Sequence, residues 1–254
     1  MRLAPRLHLV GSEQFGLSHR FDCNIFLVDA GGPLVLVDAG RGLDVDAIER
    51  NVQADGLDPA RIAAVLVTHS HDGHTAGLKA FRERWGCEIW MPRVAAPIVA
   101  QGTDPGIPFN VGLGMYPEGW TFPCVEPDHL VDDGDEIVVG DATFRAIVVE
   151  GHTPDSTCFL WEHEGRRTLF TGDVVFHAGR IGLVNLPASN LDDYRRDLPK
   201  LGGLGVDALC PGHGVFTVAR GQWHVDQAIE RLTSRAALPP SFYETLEFVE
   251  ETTP

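Results

Sequence analysis

The chain has 254 residues, 44% of them hydrophobic and 22% charged. That is the composition of a soluble globular protein with a core large enough to need no disulfide staples, and it excludes a disordered or fibrous chain. No apolar run reaches the roughly 18–20 residues of a membrane span, and 20 basic against 36 acidic residues give a net charge of −16, which argues against nucleic acid and anionic membrane as partners.

Residues 1–11 carry two arginines but no apolar core of a secretory signal, so the expected location is the cytoplasm. Residues 25–28 and 34–37 are short apolar runs separated by Asp29-Ala30-Gly31-Gly32-Pro33, which predicts a β-hairpin. Residues 44–53 have helical apolar spacing with Asp44 as the cap. Residues 62–67 read as a buried strand ending at Thr68-His69. A helix over about 75–85 and a strand over 88–91 follow. Ten of residues 101–127 are Gly or Pro, interleaved with Phe109, Tyr116, Trp120 and Phe122. A loop this long inside a domain suggests a lid over a pocket. Strands are predicted at 136–139, 144–149, 157–161, 168–170 and 206–210, and helices at 194–200 and 222–235. Residues 238–254 form a tail whose Phe242, Tyr243 and Phe248 suggest docking on this chain or in a homodimer. The whole chain, 1–254, reads as one α/β domain. The five cysteines are widely spaced, odd in number and without a C-x-x-C pair, so they read as buried reduced thiols.

The histidines carry the functional signal. His69, His71 and His74 fall within six residues, with Asp72 among them, directly after a buried strand. Imidazoles and a carboxylate at such spacing on one strand-to-helix loop can enclose a metal ion. Three more apolar runs end the same way, at Gly151-His152-Thr153-Pro154, at Gly172-Asp173 and at Pro211-Gly212-His213-Gly214. One such end is ordinarily a cap or a turn, whereas four together point to a metal site. His19, His129, His163, His177 and His224 read as solvated or core side chains.

With Val37-Asp38-Ala39-Gly40 placed before them, these motifs resemble in content and order the metallo-β-lactamase superfamily. The resemblance runs from Asn24 to about Leu232, and its G-H-T-P and P-G-H-G stretches are most similar to the glyoxalase II-like hydrolases. It implies a four-layer αβ/βα sandwich holding two zinc ions, with iron or manganese as other candidates. Carried over by position, His69, His71 and His152 match the ligands of the first metal. His74 and His213 match ligands of the second, Asp173 matches the bridging carboxylate, and Asp38 matches an acid beneath the site that orients ligands. The family pattern is H-x-H-x-D-H, but here the segment is His69-Ser70-His71-Asp72-Gly73-His74, with acid and glycine transposed. Either Asp72 still reaches the second metal, with Gly73 permitting the altered backbone, or that metal keeps His74, His213, Asp173 and a water.

The resemblance implies hydrolysis of a small-molecule thioester, ester or lactone by a hydroxide shared between the metals. Asp173 would position that hydroxide, and Asp72, if in range, would relay a proton to the leaving group. Glyoxalase II itself holds glutathione with a C-terminal extension, for which the 41 residues after His213 are short. The related lactonases have a tyrosine where Phe176 stands. A mononuclear iron enzyme like the persulfide dioxygenases is the alternative within the superfamily.

Overall fold

The computed structural model describes residues 1–102, 119–184, 188–234 and 238–242. The first sheet contains β1 (Arg2–Ala4), β2 (Leu7–Gly11), β3 (Ile25–Asp29), β4 (Leu34–Val37), β5 (Ile62–Leu66), β6 (Glu88–Pro92) and β7 (His129–Val131), in that order across the sheet. The predicted hairpin is β3 and β4, paired antiparallel from Phe26 opposite Val37 to Asp29 opposite Leu34. From β4 to β7 the pairing is parallel. The second sheet is built from β8 (Glu136–Val139), β9 (Ala142–Val148), β10 (Thr157–His163) and β11 (Arg166–Gly172). The short pair β12 (Val175–Phe176) and β13 (Arg180–Ile181) follows β11, and β14 (Ala208–Pro211) then completes the second sheet beside it.

Helices cover the outer faces. These are α1 (Val45–Ala54), α2 (Asp72–Thr75), α3 (Leu78–Trp85) and α4 (Ala96–Gln101) in the first half, then α5 (Leu191–Asp197) and α6 (Gly221–Thr233) in the second. Three apolar layers result. Ile48 and Val52 of α1 and Leu78 and Phe81 of α3 pack on Ile25, Leu27, Leu36 and Val65 of the first sheet. Phe26, Val35 and Leu66 meet Phe144, Phe159 and Phe170 between the sheets. Tyr194 and Leu198, with Val225, Ala228 and Leu232 of α6, cover Ile147, Cys158, Leu169 and Leu209. The order helix, sheet, sheet, helix is the expected four-layer sandwich.

Several elements differ from the sequence expectation. The helix expected over 75–85 is broken at Gly77, because the turn must dock on the Asp38-Ala39-Gly40 loop. Ala39 N–H donates to the His74 carbonyl at 2.9 Å, and a Cβ at Gly77 would stand 2.1 Å from the Ala39 oxygen. The helix expected from 194 begins at Leu191, where the Asn190 side chain accepts from Asp193 N–H, and after Asp197 it tightens into a 3₁₀ turn containing Pro199. Strands β1, β2, β7, β12 and β13 were not expected. Asp44 does cap α1, its side chain accepting from Ala47 N–H. Four cysteines are buried as free thiols, whereas Cys124 is exposed. Most of the proposed lid and tail, residues 103–118 and 243–254, lies outside the described residues.

The topology places the motifs. Antiparallel pairing of β10 with both neighbours makes β9 and β11 point the same way, and β14 runs parallel to β11. Glu150-Gly151-His152, Asp173 and His213 therefore all leave carboxyl ends at one edge of the second sheet. Asp38 and the His69–His74 loop leave the carboxyl ends of the parallel strands β4 and β5 in the first. Asn24 stitches the two edges together, donating from Nδ2 to the carbonyls of Pro211 (3.0 Å) and Gly214 (3.1 Å).

Candidate metal centre

Five loops deliver the predicted residues to one place. His69, His71 and His152 offer one donor atom each, all within 4.8 Å of one another, and so do His69, His74 and Asp173. His213 Nε2 lies 3.6 Å from Asp173 Oδ2, and His152 Nε2 lies 3.6 Å from the same oxygen. Asp173 thus stands between the two imidazole groups. His69, His71, His74, His152 and Asp173 are all buried.

The ring orientations follow from what holds their other nitrogens. Thr68 Oγ1 donates to Asp38 Oδ2 (2.9 Å), so its lone pair accepts from His69 Nδ1 at 3.0 Å. His74 Nδ1 donates to Asp38 Oδ2 at 2.8 Å, and His152 Nδ1 donates to the Gly182 carbonyl at 2.5 Å. In each case Nε2 turns inward. The second ring of the loop uses its other nitrogen, His71 Nδ1 standing 3.0 Å from His152 Nε2.

Asp38 therefore orients His74 directly and His69 through Thr68. It does so from the left-handed region, at φ 64°, a conformation that Asp tolerates better than most residues. Thr68 N–H bonds its other oxygen. Glycine is required where loops cross. A Cβ at Gly212 would stand 2.4 Å from Asp173 Oδ1, and one at Gly182 would stand 1.9 Å from the Asp173 carbonyl oxygen.

Burial pushes the pKa of His69 and His71 well below the ordinary imidazole value; repulsion from His74 adds most to this at His69, and repulsion from His152 at His71. His152 is lowered mainly by burial, and His213 is brought to about 4 for the same reason. These four rings are neutral at pH 7 and carry lone pairs. His74 is the exception. Burial opposes its charge, but the Cys23 thiol, Asp173 and Asp38 together hold its pKa well above the usual value. Asp173 is likewise opposed by burial but held well below the carboxylate range by His213, His74 and His152.

This donor set fits a divalent metal ion. The buried Nε2 of His69 has no hydrogen-bond partner among the described residues, a costly arrangement unless a cation takes its lone pair, and His74 Nε2 faces Asp173 Oδ1 at 3.5 Å, where such a cation would replace its proton. Neutral imidazoles with carboxylate suit zinc.

Asp72 stands differently. At the start of α2 it belongs to neither donor group. Its Oδ2 accepts from Arg41 Nη1 at 2.6 Å and its Oδ1 from Gly73 N–H at 2.9 Å. Arg41 is itself fixed by Nε donating to the Phe21 carbonyl at 2.9 Å. His177 packs against His224, with ring centroids 4.5 Å apart, and takes no part in the site.

Three further residues hold the centre without having stood out in the sequence. Cys23 Sγ lies with Asp38 and His74 in a third close group, and burial pushes its thiol up to about 11. Asp155 accepts from Ser70 N–H at 2.6 Å and so joins the G-H-T-P turn to the first histidine loop. The Tyr194 hydroxyl accepts from Gly182 N–H at 3.1 Å and lies 3.2 Å from the Val174 carbonyl. Only the Thr153-Pro154-Asp155 sequence, placed directly after a histidine, hinted at any of these.

The fold and this cluster define a class. Residues 20–213 match the family model of the metallo-beta-lactamase superfamily, and the chain belongs to that superfamily. This places it with the superfamily's metal-dependent hydrolases. The chain is 28% identical over 238 residues to an atrochrysone carboxyl ACP thioesterase of Aspergillus fumigatus, covering 92% of this chain and 63% of that protein. It is 29% identical over 212 residues to a beta-lactamase-like protein 2 homolog of Caenorhabditis elegans, covering 84% and 62%. It is 27% identical over 180 residues to a hydroxyacylglutathione hydrolase of Francisella tularensis subsp. novicida, covering 68% and 58%. The chain thus spans less than two thirds of the length of these three curated relatives. Among solved structures, a subclass B3 metallo-beta-lactamase of Bradyrhizobium japonicum superposes with a TM-score of 0.69 at 23% identity, covering 87% of this chain and 86% of that one. That likeness concerns the fold.

Proposed function

We propose that the chain hydrolyses a small-molecule thioester, ester or lactone with two zinc ions per chain. His69, His71 and His152 hold the first ion. His74 and His213 would hold the second, with Asp173 standing between the two groups. The observation that carries this reading is the set of tied Nδ1 atoms, which turns the Nε2 atoms of His69, His74 and His152 inward around one buried carboxylate. Relatives named as a thioesterase and as a hydroxyacylglutathione hydrolase favour a thioester over the other bonds.

A divalent ion in these positions supplies Lewis acidity towards a carbonyl oxygen and acidifies water towards a pKa of about 7. The residues do the rest. Asp38 and Gly182 keep the imidazoles in the ligating tautomer. Asp173 presents an ionised carboxylate between the two imidazole groups. The closely packed loops keep bulk water out, which strengthens every charge interaction within. The ion pair of Asp72 with Arg41 favours the account in which water completes the second site, with Asp72 a positioning residue. The single-iron alternative needs two histidines and an aspartate, fewer donors than converge here.

Elemental analysis of protein purified without chelator tests this, together with a panel of thioesters, lactones and simple esters. Two zinc ions per chain and thioester turnover are expected. Asp173→Asn should lose the second ion and at least a hundredfold in turnover, the scale of removing a group that acts on developing charge, whereas Asp72→Asn should keep both ions. Full turnover by Asp173→Asn would overturn the scheme, and one iron per chain with oxygen uptake would replace it.

A further inference from the structure

Of the residues around the centre, His213 is the open one. Its side chain is 24% exposed, whereas the other five members are at most 7% exposed. Among the described residues, the centre is therefore most open on the His213 side. A cavity of about 140 Å³ lies on that side, lined by Glu13, Gln14, Asp22, Asn24 and Phe242 around His213.

The polar walls of this cavity are largely engaged within the protein. Asn24 uses Nδ2 on two carbonyls, and its Oδ1 accepts from Ser12 Oγ at 2.6 Å. Asp22 accepts from Arg41 N–H and His19 N–H. Both ionisable side chains of the lining besides His213 are acids. Arg20 and Arg41 also act on Glu13, but Arg41 is already paired with Asp72 at 2.6 Å. Such walls disfavour a carboxylate or phosphate, which would face unbalanced negative charge.

The remaining wall is apolar, and it comes from far along the chain. Residues 240–242 lie against β13. Ile181 N–H donates to the Pro240 carbonyl (3.2 Å), Arg180 Nη2 to the Ser241 carbonyl (3.0 Å), and Ser241 Oγ to the Leu183 carbonyl (2.7 Å). This seats the Phe242 ring flat on Phe176, with centroids 4.2 Å apart and planes 15° apart, and 6.4 Å from the His213 ring. Gly214, at φ +69°, makes room, since a Cβ there would stand 2.8 Å from the Phe242 ring.

We infer that the cavity beside His213 is the subsite for a small, uncharged, partly apolar group of the substrate, and that Phe242 is the residue that sets its size. The inference rests on the metal-centre reading above, so the test uses a probe that needs the metal but no turnover. The probes are straight-chain thiols from ethanethiol to hexanethiol, with 3-mercaptopropionate as the anionic control, titrated into the cobalt-loaded protein. Thiolate is a favoured ligand of such ions, and its binding is read from the thiolate-to-cobalt absorption band.

In the wild type, affinity should rise about fourfold per methylene until the cavity is full, and 3-mercaptopropionate should bind more weakly than propanethiol. Phe242→Ala should move the limit to longer thiols, and Phe242→Trp should bring it to shorter ones. Phe242→Leu, which keeps an apolar contact with Phe176, guards against a folding defect, as do unchanged cobalt content and circular dichroism. No thiolate band in the wild type would overturn the metal reading and this subsite together. A band with the same chain-length profile in wild type and all three variants, or a preference for 3-mercaptopropionate, would overturn the subsite alone.

Discussion

Tyr194 shows how much of the centre depends on residues that never face it. Its ring is fully buried and packs on Gly151, where a Cβ would stand 2.4 Å from it. Its hydroxyl holds Gly182 N–H, and the Gly182 carbonyl holds His152 Nδ1. One phenol thus fixes the backbone before His152 and the acceptor that sets its tautomer. Tyr194→Phe keeps the ring but leaves Gly182 N–H unpaired, a loss of about 1–3 kcal/mol. We expect it to fold and to lose about 10–100-fold in metal affinity, the range for such supporting contacts. Competition with a chromogenic chelator measures this, and an unchanged affinity would show that the hydroxyl is not needed. Nothing in the sequence marks this tyrosine, which lies 42 positions from the histidine it supports. The metal-ligating types were legible because His and Asp stand in short motifs at strand ends.

At the scale of elements, the junction of α5 with the second sheet controls the loop before His152. Asp197 closes α5, and its Oδ2 accepts from Glu150 N–H at 3.2 Å and from Arg196 Nη2 at 2.8 Å. Lys200 Nζ lies 3.2 Å from its other oxygen. Burial opposes the charge, but the bonds from Arg196, Lys200 and Glu150 N–H outweigh it, and the pKa is lowered. A carboxyl lowered on folding contributes stability above its unfolded pKa and loses it as pH falls through the folded value. Asp197→Asn should therefore destabilise by about 1 kcal/mol at pH 7. The gap to wild type should close as pH falls below about 4. Urea denaturation of both proteins at pH 7, 5 and 3 measures it, and a gap independent of pH would remove the charge from the account. The start of α5 shows the limit of the sequence pattern. Helical spacing was visible from 194, but the boundary was set by Asn190 capping Asp193.

At the scale of the molecule, two sheets packed face to face through Phe26, Leu66, Phe144 and Phe170 present their loops at one shared edge. Five buried members of the centre gather imidazole lone pairs and a carboxylate there, a set that a bound cation would satisfy. Metal bound to the native state alone stabilises it by about 2.7 kcal/mol at a hundredfold excess over Kd. For a chain of this size each kcal/mol moves Tm by about 2–4 °C. Chelator treatment should thus lower Tm by about 5–10 °C, with recovery on adding zinc. A Tm indifferent to both would argue that these residues hold no metal.

The residue types at the strand ends are legible from the chain order alone. Hydrophobic runs and turn residues mark most strands, and imidazoles gathered within six positions announce a metal without knowledge of the fold. The layer order is legible too, through the resemblance those motifs carry. What each side chain does there depends on neighbours that the fold supplies. Asp72 lies amid the histidines in sequence, yet Arg41, 31 residues away, takes its carboxylate. Asp38 is a bridge to two rings because β4 and β5 are parallel neighbours. Phe242 walls the open side because residues 240–242 hydrogen-bond to β13 and its flank. The reason is common to all three. Sequence patterns report contacts between residues close along the chain, whereas tautomer, ion pairing and pocket shape depend on partners that only sheet pairing and loop crossing bring together.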